Sequence, residues 1–230
     1  MRNFVDEAKI ERQARLARIL VGAGLAAFVI GLAISFLRPT WLAPVLVSAV
    51  IGLLLSQVGN QLHARWGQSP RMDEIVEGAF KGLDDRYALF HYCYGVDHFL
   101  TGPAGVHLLL PRPEAGEITY SDGEWWHQAP KRGLLRRGGL RSMGDLKSEA
   151  NKALEKLIGR LNKEVSEREA TDFDAVMLFV HPDAEVHADD SPVPCIYYKK
   201  AKGWIRRLPK GTSLSEAQVD ELAREAGFSV

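Results

Sequence analysis

Ile19 to Leu37 reads ILVGAGLAAFVIGLAISFL and Pro39 to Leu62 reads PTWLAPVLVSAVIGLLLSQVGNQL; neither stretch holds an Asp, Glu, Lys or Arg. Nineteen residues at about 1.5 Å each make roughly 28 Å of helix, close to the hydrocarbon thickness of a bilayer. The pair reads as a transmembrane helical hairpin over residues 16–64, preceded by a basic, amphipathic segment over residues 1–15. A buried pair of core helices is the alternative. Such helices are usually shorter and carry a polar stripe that neither segment shows.

The chain balances 29 basic against 29 acidic residues, but the balance is uneven along its length. The first 65 residues hold seven Lys or Arg and three acids, leaving 22 basic and 26 acidic residues to the remainder. A mildly acidic domain offers nucleic acid no global attraction. Arg2, Lys9, Arg12, Arg15 and Arg18 precede the first span, Arg38 lies in the connection, and Arg65 and Arg71 follow the second. The positive-inside rule then sets both termini in the cytoplasm of a multi-pass protein of the inner (plasma) membrane. A secretory signal peptide is the competing reading of the first span. Its apolar run is too long for one, and a second span follows directly.

Small residues recur at every fourth position, as Ala23, Ala27, Gly31 and Ser35 in the first span and Ser48, Gly52 and Ser56 in the second. Apolar side chains gain little by leaving lipid for another helix, so close backbone approach is what holds spans together. Ala27, Gly31, Ser48, Gly52 and Ser56 are therefore the expected helix-packing positions, and the same faces offer a homo-oligomer contact as the alternative. Trp41 and Trp66 sit where interfacial anchors sit. With no ionisable Asp, Glu, Lys or Arg inside either span, a transport path has nothing to run on.

From Ser69 the pattern becomes that of a mixed α/β domain, 69–228, long enough for one core. Met72, Ile75, Val76, Ala79, Phe80 and Leu83 repeat at helical spacing after a Ser69–Pro70 start. A meander of strands is expected next: Tyr87–Cys93, Val96–Thr101, Val106–Leu110, Glu117–Ser121 and Glu124–Gln128. A long helix over Asp145–Val165 with Ser142 as candidate N-cap follows, then strands Ala175–Val180 and Cys195–Tyr198, then a helix opened by the capping box Ser213-x-x-Glu216. The order fits an α/β sandwich around a mixed sheet. Cys93 and Cys195 read as buried free thiols, since nothing suggests a disulfide framework or a zinc site.

Val96-Asp97-His98, then Gly102-Pro103, then Gly105-Val106 resembles the nuclease-related domain (NERD) family of the restriction-endonuclease-like superfamily. That family shows an Ile-Asp-His run, a Gly-Pro turn, a Gly-Val strand ending in Glu-x-Lys, and a Gly four residues on, here Gly116 after Arg112. Asp73, Val76, Phe80, Leu83 and Tyr87 match its leading helix, and Val180 to Ala184 and Leu214 to Leu222 resemble its closing segments. The resemblance spans Arg71 to Phe228. It implies a restriction-endonuclease-like sandwich in which acids from the first helix, second strand and third strand hold a divalent cation, Mg²⁺ or Mn²⁺. Such an ion needs hard oxygen ligands and activates the attacking water. The Lys two residues beyond the Glu shares its strand face and supplies charge beside the phosphate.

Here the resemblance keeps Asp97 and His98, with Asp73 as the helix acid, but Leu110 stands at the Glu position and Arg112 at the Lys position. Leucine offers no oxygen, and arginine grips a phosphate but exchanges protons poorly. The expectation is a vestigial site (Asp73, Asp97, His98, Leu110, Arg112) with no cofactor, in a pseudoenzyme serving as a binding or scaffolding module. The alternative is a membrane-tethered Mg²⁺- or Mn²⁺-dependent nuclease held by Asp73, Asp97 and a relocated acid from Glu74, Glu77, Glu114 or Glu117. Against it, Glu74 and Glu77 fall away from the apolar helix face and Glu114 lies in a turn.

Two further features complete the reading. His107 lies on the third strand, where a catalytic role lacks a nucleophile, so it is expected to face whatever covers that side of the sheet. Lys131, Arg132, Arg136, Arg137 and Arg141 form a basic stretch without an acid among them. As a partner surface it suits anionic lipid, at about 1 kcal/mol per basic residue near a membrane, or nucleic acid bound without sequence preference; a solvated loop is the plain alternative. The bilayer is the expected primary partner.

Overall fold

A computed structural model of the chain describes residues 1–130, 139–161, 173–210 and 214–229. It divides into two compact units, Asp6–Met72 and a second made of Met1–Val5 with Asp73–Val230. The first unit is a pair of long apolar helices, and the second a mixed α/β domain.

The helical unit consists of α1 (Glu7–Leu37) and α2 (Leu42–Trp66). Asp6 caps α1 by accepting a hydrogen bond from the Lys9 amide at 2.9 Å. Both helices are long and apolar enough to cross a membrane. The turn between them is closed by Trp41 N–H donating to the Arg38 carbonyl at 2.9 Å, with the Arg38 guanidinium 6.0 Å from the Trp41 ring. The buried positions are Ile10, Ala17, Gly24 and Gly31 on α1 and Gly52, Gly59 and Trp66 on α2.

That seam repeats every seventh residue, not every fourth. A period of 3.5 residues per turn keeps one seam facing a neighbour over many turns, whereas a fourfold row drifts round the helix. Gly31 and Gly52 of the expected set are buried, Ala27, Ser48 and Ser56 flank them half-buried, and Ala23 and Ser35 are exposed. Gly24, off the expected row, is where the backbones meet: a Cβ there would stand 2.9 Å from the Gly52 carbonyl, and one on Gly52 2.9 Å from the Gly24 carbonyl. Trp66, near the end of α2, is buried, with the Arg65 guanidinium 5.1 Å from its ring.

The domain is built on two sheets. The larger has the order β1 (Arg2–Val5), β2 (Ala88–His91), β3 (His98–Gly102), β4 (Gly105–Arg112), β8 (Phe173–Phe179), β10 (Cys195–Tyr197). Strands β2 to β4 form an antiparallel meander joined at its second bend by Gly105, whose φ of +107° only glycine adopts readily. β8 runs parallel to β4, β10 parallel to β8 and β1 parallel to β2. The smaller sheet has the order β7 (Leu140–Ser142), β6 (Glu124–Gln128), β5 (Gly116–Ser121), β9 (Ala184–His187). β5 and β6, expected to prolong the meander, instead start this second sheet, which a single strand periodicity does not distinguish.

Among the described residues the domain also has four shorter α-helices, α3 (Met72–Phe80), α4 (Leu146–Ile158), α5 (Ala201–Arg207) and α6 (Glu216–Glu225). Phe90, Phe99, Leu108, Ala175 and Met177 share one core with Leu146, Ala150 and Leu157 of α4, Val219, Leu222 and Ala223 of α6, and Ile118 and Trp125 of the smaller sheet. The alternate residues Leu89, His91, His98, Leu100, His107 and Leu109 face the other way. On that side Val76 and Phe80 of α3 and Ala201 and Ile205 of α5 are buried, and Trp204 of α5 meets His107 edge-on at 5.7 Å.

Helix boundaries move with their caps. Asp145, not Ser142, caps α4, accepting from the Ser148 amide at 2.9 Å, while Ser142 lies on β7. α4 closes at Gly159, short of the expected Val165, and 162–165 fall outside the described residues. The last helix opens on a capping box of Ser215 and Gln218 rather than Ser213 and Glu216. Ser-x-x-Glu and Ser-x-x-Gln are chemically equivalent signals two residues apart, and the later one sets Val219, Leu222 and Ala223 inward.

The opening residues carry the largest departure from a simple leading tail. β1 docks through Phe4, which stacks on Phe90 at 4.8 Å, and Phe90 in turn lies flat on Phe99 at 4.7 Å. Phe228 closes the row at 5.4 Å from Phe4, and Arg2 pairs with Asp220 of α6.

Candidate functional site

The resemblance singles out the first helix, the start of the second meander strand and the end of the third. Asp73 on α3 is 3% exposed and accepts a hydrogen bond from the Tyr92 hydroxyl at 3.2 Å. Tyr92 belongs to the tight β2–β3 connection, where it takes φ +63° and its amide bonds the Asp97 carbonyl at 2.6 Å. A tyrosine held in the left-handed region is costly, and surrounding contacts must over-determine it. Its neighbours supply them: the Tyr92 ring lies 5.2 Å from that of His98, and Tyr94, at φ +50°, anchors its hydroxyl on the Leu222 carbonyl at 2.7 Å. Burial and the nearby Glu225 carboxylate push the Tyr94 phenol above its ordinary pKa.

Asp97 is exposed, one residue before the β3 ladder begins at His98. His98 itself is buried and its Nδ1 lies 2.7 Å from Nδ1 of His91, the residue directly across the β2–β3 ladder. Such a bond needs a proton on one nitrogen and a lone pair on the other, so the two rings hold opposite roles. His91 carries no signal of its own in the sequence. Only the antiparallel register brings a residue seven positions earlier against His98.

Leu110 and Arg112 lie on the opposite face of the sheet from His98. Leu110 is half-buried against the main core beside Met177, its register partner on β8. Arg112 forms an ion pair with Glu149 of α4, and its carbonyl accepts from the Val180 amide at 2.9 Å. The structure thus brings Asp73, Tyr92 and His98 together on one face and sets Leu110 and Arg112 on the other. Among the described residues no group of three or more His, Cys, Asp or Glu side chains is arranged to hold a metal ion.

The relocated-acid candidates do not gather either. Glu74 and Glu77 belong to α3, Glu117 is exposed at the start of β5, and Glu114 has one buried carboxylate oxygen that finds no partner among the described residues. Arg141 of the basic stretch lies on β7, its Nε donating to His127 Nδ1 at 3.3 Å. Lys131, Arg132, Arg136 and Arg137 lie outside the described residues.

His107 is 4% exposed under Trp204, and burial drives its pKa down from the ordinary 6.5 to about 4, with the Ala104 backbone opposing. It is a neutral core histidine at neutral pH. Asp174, its register partner on β8, is pushed the other way by the same loss of water, its carboxyl pKa raised. Cys93 and Cys195 are free thiols, and burial raises the pKa of Cys195 despite hydrogen bonding from Ser191 and the Arg112 charge. One concave feature had no sequence signal: a cleft of about 410 Å³ at the outer edge of β10, which α5 helps to line.

No protein-family model, curated protein or solved structure matches this chain.

Proposed function

We propose that this protein is a membrane-anchored member of the nuclease-related family whose domain has lost metal-dependent catalysis and acts as a binding or scaffolding module. The observation that carries the reading is the use made of the third strand's end. Leu110 packs into the core and Arg112 is neutralised by Glu149, so the two positions that would grip a cation and a phosphate are engaged in stability instead. The order α3, β2, β3, β4, with Asp73 on the helix, Asp97 at the second strand and Leu110 on the third, supports the family assignment.

Membrane anchoring is supported by the exposed apolar surface of both helices, which a water-facing pair would not tolerate. The topology of the larger sheet supports a hairpin over a single span. β1 precedes both helices in the chain and β2 follows them, yet the two are adjacent in one sheet, so the chain returns to the side it left. The same pairing argues against removal of the first helix as a signal peptide, since cleavage after it would separate β1 from the chain. With the basic residues flanking the apolar runs, the side in question is the cytoplasm.

The purified full chain, extracted from membranes only by detergent, is expected to leave DNA and RNA intact in Mg²⁺ or Mn²⁺. Cleavage that Asp97→Ala abolishes would overturn this in favour of a tethered nuclease with a relocated acid. Release by alkaline carbonate would remove the anchor.

A further inference from the structure

The cleft at β10 combines three kinds of group that a plain surface hollow lacks. Its volume of about 410 Å³ lies within the range of small-molecule sites. β10 is the last strand of the larger sheet, and the Met177 amide bonds the Pro194 carbonyl at 2.8 Å. Peptide groups alternate along a strand, so Ile196 also faces β8, while Cys195 turns its N–H and C=O and Tyr197 its N–H toward the open edge; the Tyr197 carbonyl opens the 3-10 turn Tyr198–Lys200. Those groups place two donors and one acceptor of the strand edge beside the cleft.

Around this edge stand two aromatic rings, Tyr197 and Trp204. Tyr197 is fixed by its hydroxyl donating to the Pro182 carbonyl at 3.1 Å, and Trp204 by its contact with the buried His107 ring. The same cleft is lined by the cations Lys200 and Arg207, neither of which forms an ion pair with a described residue. The β9 side contributes Glu185 and Asp189, also without an ion pair among the described residues. An apolar ligand would leave all these charges unmatched, and a bare anion would have no use for the rings or the strand edge.

We propose that this cleft binds a nucleotide. The base lies against Tyr197 and Trp204 with its polar edge on the outward peptide groups of β10, since every base has a face to stack and an edge to pair. The phosphate is taken by Lys200 and Arg207, whose donors suit its oxygens. The ribose hydroxyls donate to Asp189 or Glu185, as they do to the acidic residue of dinucleotide-binding folds. The proposal uses the face of the domain at β10 and does not depend on the nuclease-related reading, so either stands if the other fails.

Calorimetric titration of the detergent-solubilised full chain with AMP and UMP tests it. We expect saturable one-to-one binding of at least one of them with Kd below about 1 mM, weakened roughly tenfold or more when the phosphate is absent, as in adenosine or uridine. The Lys200→Glu, Arg207→Glu double variant changes only exposed side chains and should weaken binding by about tenfold or more with an unaltered circular dichroism spectrum and melt. Trp204→Ala should do the same, and Trp204→Phe, which keeps a ring over His107, should restore most of the affinity. No saturable binding up to about 5 mM, well above the affinity expected of a site of this size, overturns the proposal. So does undiminished binding by the double variant, or inorganic phosphate competing as well as AMP, which would make the cleft an anion patch.

Discussion

The hairpin and the α/β domain distribute their apolar residues by opposite rules. In the hairpin the buried seam between its ends at Ile10 and Trp66 is made of small residues, Ala17, Gly24, Gly31, Gly52 and Gly59, while Leu25 is 63% and Leu37 78% exposed. In the domain large rings such as Phe80, Phe90, Phe99 and Phe179 are fully buried. Water rewards burial of apolar area at about 25 cal/mol per Å², which is the domain's rule. Lipid offers no such reward, and packing of backbone against backbone through glycine takes its place. On the proposed membrane reading, the two regions hide different amino acids because they face different solvents.

The sharpest way to break that contrast is one substitution in each region. Phe90→Ala removes the middle ring of the Phe4–Phe90–Phe99 row and is expected to cost about 4 kcal/mol in urea unfolding of the domain. Val29→Lys, at an exposed position in the first span, should lower membrane insertion by about 3 kcal/mol in a translocation assay. An effect within about 0.5 kcal/mol, the norm for a water-facing surface, would place both regions under one rule.

A second test uses pH and touches only the domain. Neutral His107 takes up its proton near pH 4 in the fold but near 6.5 when unfolded. Below pH 6.5 the unfolded chain binds a proton the folded one refuses, so this residue's contribution to stability falls as pH drops toward 4 and levels off below. The loss is roughly 3 kcal/mol at most. His107→Phe should remove that component, read as the difference between variant and wild-type urea midpoints at pH 7 and pH 4.5. The raised carboxyl of Asp174 works in the opposite sense and cancels in the comparison.

The smallest effect sharpens the hairpin side. Gly24→Val forces a branched side chain into the Gly52 carbonyl and should lower hairpin stability by about 2 kcal/mol, whereas Gly22→Val meets nothing within 4 Å and should be close to neutral. Equal effects would mean that the seven-residue seam is not the contact.

Much of the chain was legible before any coordinates. The two long apolar helices and the leading helix of the domain follow from apolar period and turn residues, as do, to within two residues at their ends, the β2–β4 meander with its Gly102–Gly105 bend and the strands expected at Ala175–Val180 and Cys195–Tyr198. The misses share one cause. β1 is four residues long and pairs with a strand more than eighty positions away, so nothing local marks it. The helical seam shifted from Ala23 to Gly24 because a row of small residues specifies close approach but not which row is chosen. At the candidate site, Asp73, Asp97, His98, Leu110 and Arg112 were all visible as residue types. Their division between two faces, the His91–His98 bond and the Arg112–Glu149 pair were not, since each depends on a register or on a helix packed from elsewhere.

Local chemistry thus decides, without reference to the rest of the chain, which segments are helical, which are extended, and where apolar length suits a bilayer, because period, charge and turn residues act over a few neighbours. Which strand edge lies open beside Trp204, which faces Asp73 and Arg112 occupy, and which glycines meet were decided by tertiary structure. Those outcomes are set by contacts between distant residues, and their free energies exist only once the backbone has brought the partners within reach.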